Sequence, residues 1–331
     1  KGTPFLYVSD SGWKLFTGLS VPEAREYFIK RKQQGFSVIH VFLTGTPGQT
    51  NRNGHQPFKD FDFSQPNEGY FDETEKYIRV ADSLNMCLAM VPLWYSCCND
   101  GWGSSIEKFM KNNGTEKCFG YGQYLGNRYK KYKNIIWIMG GDNDPQENRE
   151  EIRAVASGIN QASPDQLITY HALTSHSSTD VWDDEKWLDF SMVYTYFRGL
   201  HGTWNSALPD VYEVCYTEYM KQPVMPFILG ESTYEGEHDE HGSAVQVRKQ
   251  AYWTMLSGGA GHSYGSPFWA VESSQVRGND WRKILDMEGA NTLKYLNKLL
   301  TLFDWTSLQP QFPSTPQKGY AKNDFATSAL T

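Results

Sequence analysis

The sequence predicts a (β/α)8 TIM barrel. Eight short apolar runs recur along the chain, and most of them are followed by a helical pattern. The runs are continuously apolar rather than alternating, which indicates strands that are buried on both faces, as in a parallel sheet. Strands that alternate with helices indicate βα units, and eight such units over about 300 residues fit a barrel better than a doubly wound sheet.

Each predicted strand is one apolar or aromatic run that a polar or Gly-rich stretch follows. In chain order the strands are 4–10 (PFLYVSD), 37–43 (SVIHVFL), 86–94 (MCLAMVPLW), 134–142 (NIIWIMGGD), 167–173 (LITYHAL), 191–197 (SMVYTYF), 226–232 (PFILGES) and 261–269 (GHSYGSPFW). The fourth strand ends in Gly-Gly-Asp, and a turn would explain the glycines but not the carboxylate. The strand ends are therefore where we look for chemistry.

The clearest helix follows the first strand. Ser20 and Glu23 form a capping-box pattern, Pro22 lies in the first turn and Gly35 ends the pattern. A second helix is predicted to begin at Asp72, and further helical patterns cover 104–114, 122–133, 148–160, 243–259 and 292–305. The chain then becomes rich in Pro and Ser, so we expect a barrel domain at residues 1–305 and a different segment at 306–331.

Composition and charge exclude several classes of function. The net charge is −7 with scattered basic residues, which gives no footprint for nucleic acid or an anionic membrane, and no apolar run reaches the roughly 20 residues of a membrane helix. The five cysteines lack a CxxC pair and a nearby His, so mostly free thiols are expected rather than a metal site. The run EGEHDEHG, with His238 and His241, is interpreted as a solvated charge cluster. We expect no metal and no cofactor.

Two carboxylates end strands on opposite sides of the predicted barrel mouth. Asp142 ends the fourth strand and Glu231 the seventh, and Gly140, Gly141 and Gly230 keep the approach to them open. Glycoside hydrolysis needs such a pair, with one acid that protonates the leaving oxygen and one ionised group that attacks or activates water. The alternative is that Asp142 caps a turn and Glu231 anchors a loop. Both interpretations stay open, and the catalytic one is favoured for the pair.

Other polar and aromatic side chains near strand ends suit a sugar. Hydroxyl, carboxylate and imidazole groups can bond ring hydroxyls, while aromatic faces stack on C–H surfaces. Each residue alone fits a core position equally well. The substrate-binding candidates are Asp10, Trp13, Trp94, Asp144, His171, Tyr196, Glu235, Tyr264 and Trp269.

Five segments together resemble one known family. They are FLYVSDSGWKLF, YFIKRKQQGFSVIHV, NIIWIMGGDNDP, FILGESTYEG and RKQAYWTMLSGGAGHSYGSPFW. In that order they resemble the apiosidase-like glycoside hydrolases, which are barrel enzymes of plant-polysaccharide-degrading bacteria and some fungi. The resemblance implies a retaining hydrolase with Asp142 as acid/base and Glu231 as nucleophile. It also implies a periplasmic, cell-surface or secreted location, and an oligo- or polysaccharide substrate.

The resemblance carries two further expectations. Family members continue into a small C-terminal β-sandwich, and residues 323–331 resemble its first strand. The activity named for the family is removal of terminal apiose linked to galacturonic acid in rhamnogalacturonan, a pectic polysaccharide. Two alternatives to this exo-acting enzyme stay open, an endo-acting β-glycanase of the same barrel class and a catalytically silent carbohydrate-binding barrel.

Overall fold

The computed structural model describes residues 4–45, 48–95, 105–196, 209–311 and 326–331. Within them, nine strands form one sheet in the order β5-β4-β3-β2-β1-β9-β8-β7-β6. The strands are β1 Tyr7–Ser11, β2 Val38–Phe42, β3 Cys87–Val91, β4 Ile135–Gly140, β5 Ile168–His171, β6 His176–Ser177, β7 Ser191–Tyr194, β8 Phe227–Glu231 and β9 Gly261–Tyr264. Every pairing is parallel except that of the short β6 with β7, so the predicted (β/α)8 class is confirmed.

The sheet curls into a nearly closed barrel. β1 pairs with both β2 and β9, which joins the first and last barrel strands. Between β5 and β7 the buried hydroxyl of Ser178 makes the connection, since it donates to the Tyr170 carbonyl (2.6 Å) and accepts from the Met192 N–H (2.7 Å). A side chain that follows β6 therefore bridges the two strands, beside the backbone hydrogen bond from the Asp189 N–H to the Ile168 carbonyl (2.9 Å).

Eleven helices are assigned among the described residues. They are α1 Leu15–Gly18, α2 Val21–Gln33, α3 Glu68–Ser83, α4 Ser105–Tyr129, α5 Arg149–Ala162, α6 Ser178–Val181, α7 Val211–Met220, α8 Ala244–Leu256, α9 Ser274–Gly278, α10 Trp281–Ile284 and α11 Glu288–Leu300. α4 contains a break at Gly114 (φ 68°, ψ 175°), which separates the two helices predicted there. No described helix is long and apolar enough to cross a membrane.

The helix caps test the sequence patterns directly. At α2 the predicted capping box is present, because Ser20 accepts from the Glu23 N–H and Glu23 accepts from the Ser20 N–H. The predicted start of α3 at Asp72 is wrong. The helix begins at Glu68, since the Asn67 side chain accepts from the Gly69 N–H and caps it earlier.

Alternate strand residues divide the core into two layers. Side chains such as Val38, Ala89 and Ile136 pack inside the barrel, while their neighbours in sequence, such as Ile39 and Leu88, pack against the helices. This two-sided burial explains why the strands read as continuous apolar runs. It also places the side chains at the carboxyl ends of the strands around one opening.

The chain end forms a second, small sheet. β10 (Gln309–Pro310) pairs antiparallel with β11 (Ala329–Leu330). Residues 323–325 of the predicted first sandwich strand lie outside the described residues, as do two of the five cysteines. The domain boundary at residue 305 stays a prediction. The three described cysteines are free thiols.

Candidate active site

The Gly-Gly-Asp end of β4 turns sharply against two aromatic rings. Gly140, Gly141 and Asp142 have φ angles of 78°, 137° and 49°. A Cβ on Gly141 would lie 2.2 Å from the indole of Trp94, and one on Gly140 would lie 2.5 Å from the Tyr170 ring. Glycine is therefore required here both for the left-handed backbone and for space, and the turn presents Asp142 at the barrel mouth.

Glu231 ends β8 with both carboxylate oxygens held. Oε1 accepts a hydrogen bond from the Tyr234 hydroxyl at 2.6 Å, and Oε2 lies 2.6 Å from Nε2 of His171. The Tyr234 hydroxyl in turn accepts from the indole N–H of Trp13 at 2.7 Å. Glu231 is only 7% exposed, so these donors fix its orientation and stabilise negative charge on it.

The two candidate catalytic carboxylates meet around one histidine. An oxygen of Asp142, an oxygen of Glu231 and a ring nitrogen of His171 lie within 4.8 Å of one another. His171 Nε2 is 2.6 Å from Glu231 and 3.4 Å from Asp142. Two ligands of a tetrahedral zinc, each at about 2.0 Å, would stand roughly 3.3 Å apart. The shorter separation is that of a hydrogen bond, so these three groups form a hydrogen-bonded set in this structure.

Burial and nearby charges shift the pKa values of Asp142 and His171. The pKa of Asp142 is raised to about 7, first by burial and then by the negative charge of Glu231, against the opposing effect of His171. Burial disfavours the charged His171 ring, but its hydrogen bond to Glu231 and the two carboxylate charges raise the histidine pKa. A protonated Asp142 beside an ionised Glu231 is the acid and nucleophile arrangement.

A cavity of about 530 Å³ lies over the two carboxylates, and its walls are mainly aromatic. Trp13 stacks on Phe42 with ring centroids 5.0 Å apart, and Phe42 stacks on Trp94 at 4.9 Å. Such ring faces suit the C–H surface of a sugar. Of the sequence candidates, the cavity is lined by Trp13, Trp94, Asp142, Tyr196, Glu231 and Trp269.

Sequence reasoning missed part of this lining. Glu237 and His238 were interpreted as part of a solvated charge cluster, but both line the cavity. Burial and then the nearby Glu231 raise the pKa of Glu237, although its hydrogen bond from the Trp269 indole (2.9 Å) opposes this. Tyr234 was also missed. These residues lie three to seven positions after Glu231, in the same loop, and that closeness was the available signal.

Three of the substrate-binding candidates, Asp10, Glu235 and Tyr264, make structural contacts away from the cavity. Asp10 is fully buried in an ion pair with Arg31 (2.6 Å), on the helix side of the sheet. Glu235 accepts from the Tyr264 hydroxyl (2.5 Å) and from the N–H of Gly289 (2.7 Å), which joins it to the start of α11. A carboxylate there complements the positive end of the helix. None of these side chains lines the cavity.

Asp144 and His171 also lie away from the walls of this cavity. Asp144 accepts from the N–H of Leu173 (3.1 Å) and contacts His176 (2.9 Å), and it lines a separate cavity of about 560 Å³. His171 is only 1% exposed and lies between the two catalytic candidates instead of on the cavity wall. Neither residue lines the cavity over the two carboxylates.

Comparison with known proteins identifies the family of the chain. A family model described as "Apiosidase-like, catalytic domain" matches residues 1–307. The chain belongs to the apiosidase-like family. No curated protein sequence matches the chain.

The chain also resembles solved structures of glycoside hydrolases. One described as a glycoside hydrolase has a TM-score of 0.83 at 26% identity, over 98% of this chain and 77% of its own. A glycoside hydrolase family 5 structure from Bacteroides vulgatus ATCC 8482 has a TM-score of 0.85 at 26% identity, over 99% and 75%. A β-1,4-D-mannanase from Cryptopygus antarcticus, with a TM-score of 0.60 at 14% identity over 88% and 91%, shares the fold. This apiosidase-like protein is a glycoside hydrolase.

Proposed function

We propose that the protein is a retaining, exo-acting glycoside hydrolase of plant cell-wall polysaccharide. The observation that supports retention most directly is the separation of the two carboxylates, whose facing oxygens lie within 4.8 Å. Retaining enzymes place the two groups roughly 5 to 5.5 Å apart, whereas inverting enzymes need roughly 6.5 to 9.5 Å to seat a water molecule. The gap here suits direct attack by one carboxylate.

In the proposed reaction Asp142 is the acid/base and Glu231 the nucleophile. Asp142 gives its proton to the glycosidic oxygen while a Glu231 oxygen bonds to the anomeric carbon and the leaving group departs. Water then gives a proton to Asp142 and its oxygen replaces Glu231 at that carbon. The raised pKa of Asp142 supports the acid role, because the carboxyl still holds its proton near neutral pH.

Exo action is supported by the shape of the cavity. Trp13, Trp94, Tyr196 and Trp269 follow four different barrel strands and enclose the space above the carboxylates with ring faces and edges. A walled cavity suits the end of a chain, whereas an endo-acting enzyme needs an open groove. Family membership makes apiose on pectic rhamnogalacturonan the first candidate substrate. Because such a polymer stays outside cells, we also propose a periplasmic, cell-surface or secreted location.

The test is hydrolysis of a rhamnogalacturonan side-chain digest, with release read by mass and chromatography and the first-formed anomer by proton NMR. We expect a single pentose of retained configuration from the wild type, and at least a thousandfold less from Asp142→Asn and Glu231→Gln. Oligosaccharide products would instead indicate the endo-acting β-glycanase. Binding without turnover by the wild type would indicate a silent barrel, and an inverted product would refute retention.

Asp144→Asn is the matched control for Asp142→Asn. The substitution is chemically the same and stands two residues along the chain, but Asp144 lines the separate cavity. We expect it to keep activity within about threefold of the wild type. A loss equal to that of Asp142→Asn would mean that any disturbance of this loop stops the reaction, and the acid role would lose its support.

A further inference from the structure

His171 occupies a position that the two-carboxylate reaction does not by itself require. It ends β5 and is only 1% exposed. Its ring packs edge to face against Tyr194 (centroids 4.9 Å apart) and against Trp13 (6.1 Å). The packing holds the ring with Nε2 pointing between Asp142 and Glu231. A buried polar ring in so fixed a position needs a partner for every nitrogen.

The two ring nitrogens of His171 have different hydrogen-bond partners. Nδ1 is 3.1 Å from the backbone N–H of Asp142 and 3.1 Å from the carbonyl oxygen of Ala172. A neutral ring accepts from the first through Nδ1, and a charged ring donates to the second. Nε2 carries a hydrogen in the charged ring and in the neutral tautomer that accepts through Nδ1. That hydrogen has two acceptors within reach, Glu231 at 2.6 Å and Asp142 at 3.4 Å.

We propose that His171 is a positioning residue whose Nε2–H moves from Glu231 to Asp142 between the two halves of the reaction. The inference rests on the proposed function, since it needs both carboxylates in the chemistry. Before the first step Glu231 is ionised and is the stronger and closer acceptor. Once its oxygen is bonded to the sugar it becomes a neutral ester, and among the described residues Asp142 is then the only charged acceptor near Nε2.

This exchange of hydrogen-bond acceptors matches the change in charge of each carboxyl during the reaction. In the first step the Asp142 proton goes to the leaving oxygen as the Glu231–sugar bond forms, so Asp142 becomes a carboxylate. It must stay ionised until it takes a proton from water, whose oxygen displaces Glu231 as a carboxylate. If the His171 Nε2–H turns to Asp142 at this stage, its hydrogen bond stabilises the carboxylate that must act as a base. When the same N–H returns to Glu231 afterwards, the starting state is restored.

Other titratable groups face the pair from neighbouring elements. They are His40 on β2, Tyr194 on β7, Tyr196 after β7, and Tyr234 and Glu237 after β8. Burial leads the rise in the pKa of the three tyrosines, and it lowers the pKa of His40 to about 3. These groups therefore stay neutral while Asp142 and His171 titrate. Glu237 is the exception, so it is kept unchanged in the variants below.

The first experiment needs no substrate. In Glu231→Gln a neutral amide stands in for the ester, and the pKa of Asp142 is followed by carbon NMR of labelled aspartate, assigned by its loss in Asp142→Asn. We expect His171→Asn to raise that pKa by at least one unit in the Glu231→Gln background and by clearly less in the wild-type background. Equal shifts in the two backgrounds, or no shift, would overturn the proposal.

The choice of His171 variants separates the hydrogen bond from the packing. Asn places its amide near the position of Nδ1, so it keeps a partner for the Asp142 N–H but loses the donor at Nε2. Gln places an N–H near the position of Nε2 and is the conservative rescue. If the Asn variant does not fold, the shift is read from Gln, which retains the donor and should leave the Asp142 pKa within half a unit of that for histidine. A larger change would then count against the proposal.

Kinetics provide the second readout. With 4-nitrophenyl β-apiofuranoside we expect His171→Asn to slow hydrolysis of the glycosyl-enzyme at least tenfold and its formation less than threefold. Nitrophenol would then appear in a burst, the Glu231 ester would accumulate in intact mass spectra, and His171→Gln would remove both effects. Equal slowing of both steps indicates a purely structural role and overturns the proposal. Inversion by the wild type refutes the proposed function instead, and the NMR cycle distinguishes the two failures.

Discussion

Replacing Asp142 with Asn should stabilise the protein, and more so at alkaline than at acidic pH. In the folded protein burial and the charge of Glu231 raise the pKa of Asp142 from 3.8 to about 7. A raised pKa means that the carboxyl contributes fully to stability below pH 3.8 and that this contribution is lost as the pH rises through 7. Asn carries no charge at any pH, so the variant does not lose stability through ionisation at this position.

The magnitude follows from the size of the pKa shift. At pH 5 the Asp142 carboxyl of the unfolded chain has already released its proton, whereas in the folded protein it holds the proton up to about pH 7. Between pH 5 and pH 8.5 the two states therefore differ by one bound proton over about two pH units. At about 1.4 kcal/mol per unit, the advantage of Asn grows by about 2 to 3 kcal/mol over this interval. Asn is also the right replacement for the backbone, because it tolerates the left-handed φ of 49° at this position.

The assay is urea unfolding of the wild type and Asp142→Asn at both pH values. Comparing the two proteins at each pH cancels the titration of all other groups that the substitution leaves unchanged. A stability difference that stays constant within about 0.5 kcal/mol would refute the reasoning. Asp142 would then ionise in the folded protein near its ordinary pKa, and it would be a poor general acid at neutral pH.

Three further predictions follow from the same geometry. Above pH 7, kcat/KM should fall about tenfold per pH unit as Asp142 loses its proton, and a profile flat to pH 9 would contradict this. Glu237→Gln should raise KM about tenfold with little change in kcat, because a charged acceptor leaves the cavity wall, whereas an equal loss in kcat would place it in the chemistry. Gly141→Ala should lower stability by about 2 to 4 kcal/mol in urea unfolding because its Cβ would meet Trp94, while the control Gly120→Ala, which meets nothing, should be neutral or stabilising.

The barrel strands were predictable from the sequence because burial on both faces makes each strand a continuous apolar run. Each of the eight runs overlaps one barrel strand, and the described strands that were missed are the two-residue β6 and β10. Helix α2 was equally clear, since its capping box is contained within four residues. The start of α3 was misplaced because Asp72 and Asn67 both satisfy a capping pattern. Which of them caps depends on the turn that precedes the helix.

The candidate site was harder to predict from the sequence, because the direction of each side chain decides which residues face the opening. Asp10 lies within β1 opposite Tyr264 of β9, and both contact Arg31 of α2, so their side chains point to the helix layer. Asp142 lies beyond the end of β4, where a left-handed turn aims it at the opening. Both aspartates follow apolar runs in sequence. The alternation of strand side chains distinguishes them, but only once the strand ends are known to within one residue.

The distance between partners along the chain explains why the contacts of Glu235 and His171 could not be predicted. Glu235 is a carboxylate four residues after Glu231, yet it pairs with the start of α11, 54 residues further on. His171 is separated from Glu231 by 60 residues, and their contact exists because β5 and β8 bring two strand ends to the same opening. No periodicity records such a contact. The same residue types thus give a helix anchor in one case and a hydrogen bond to the proposed nucleophile in the other, and only the barrel geometry assigns which is which.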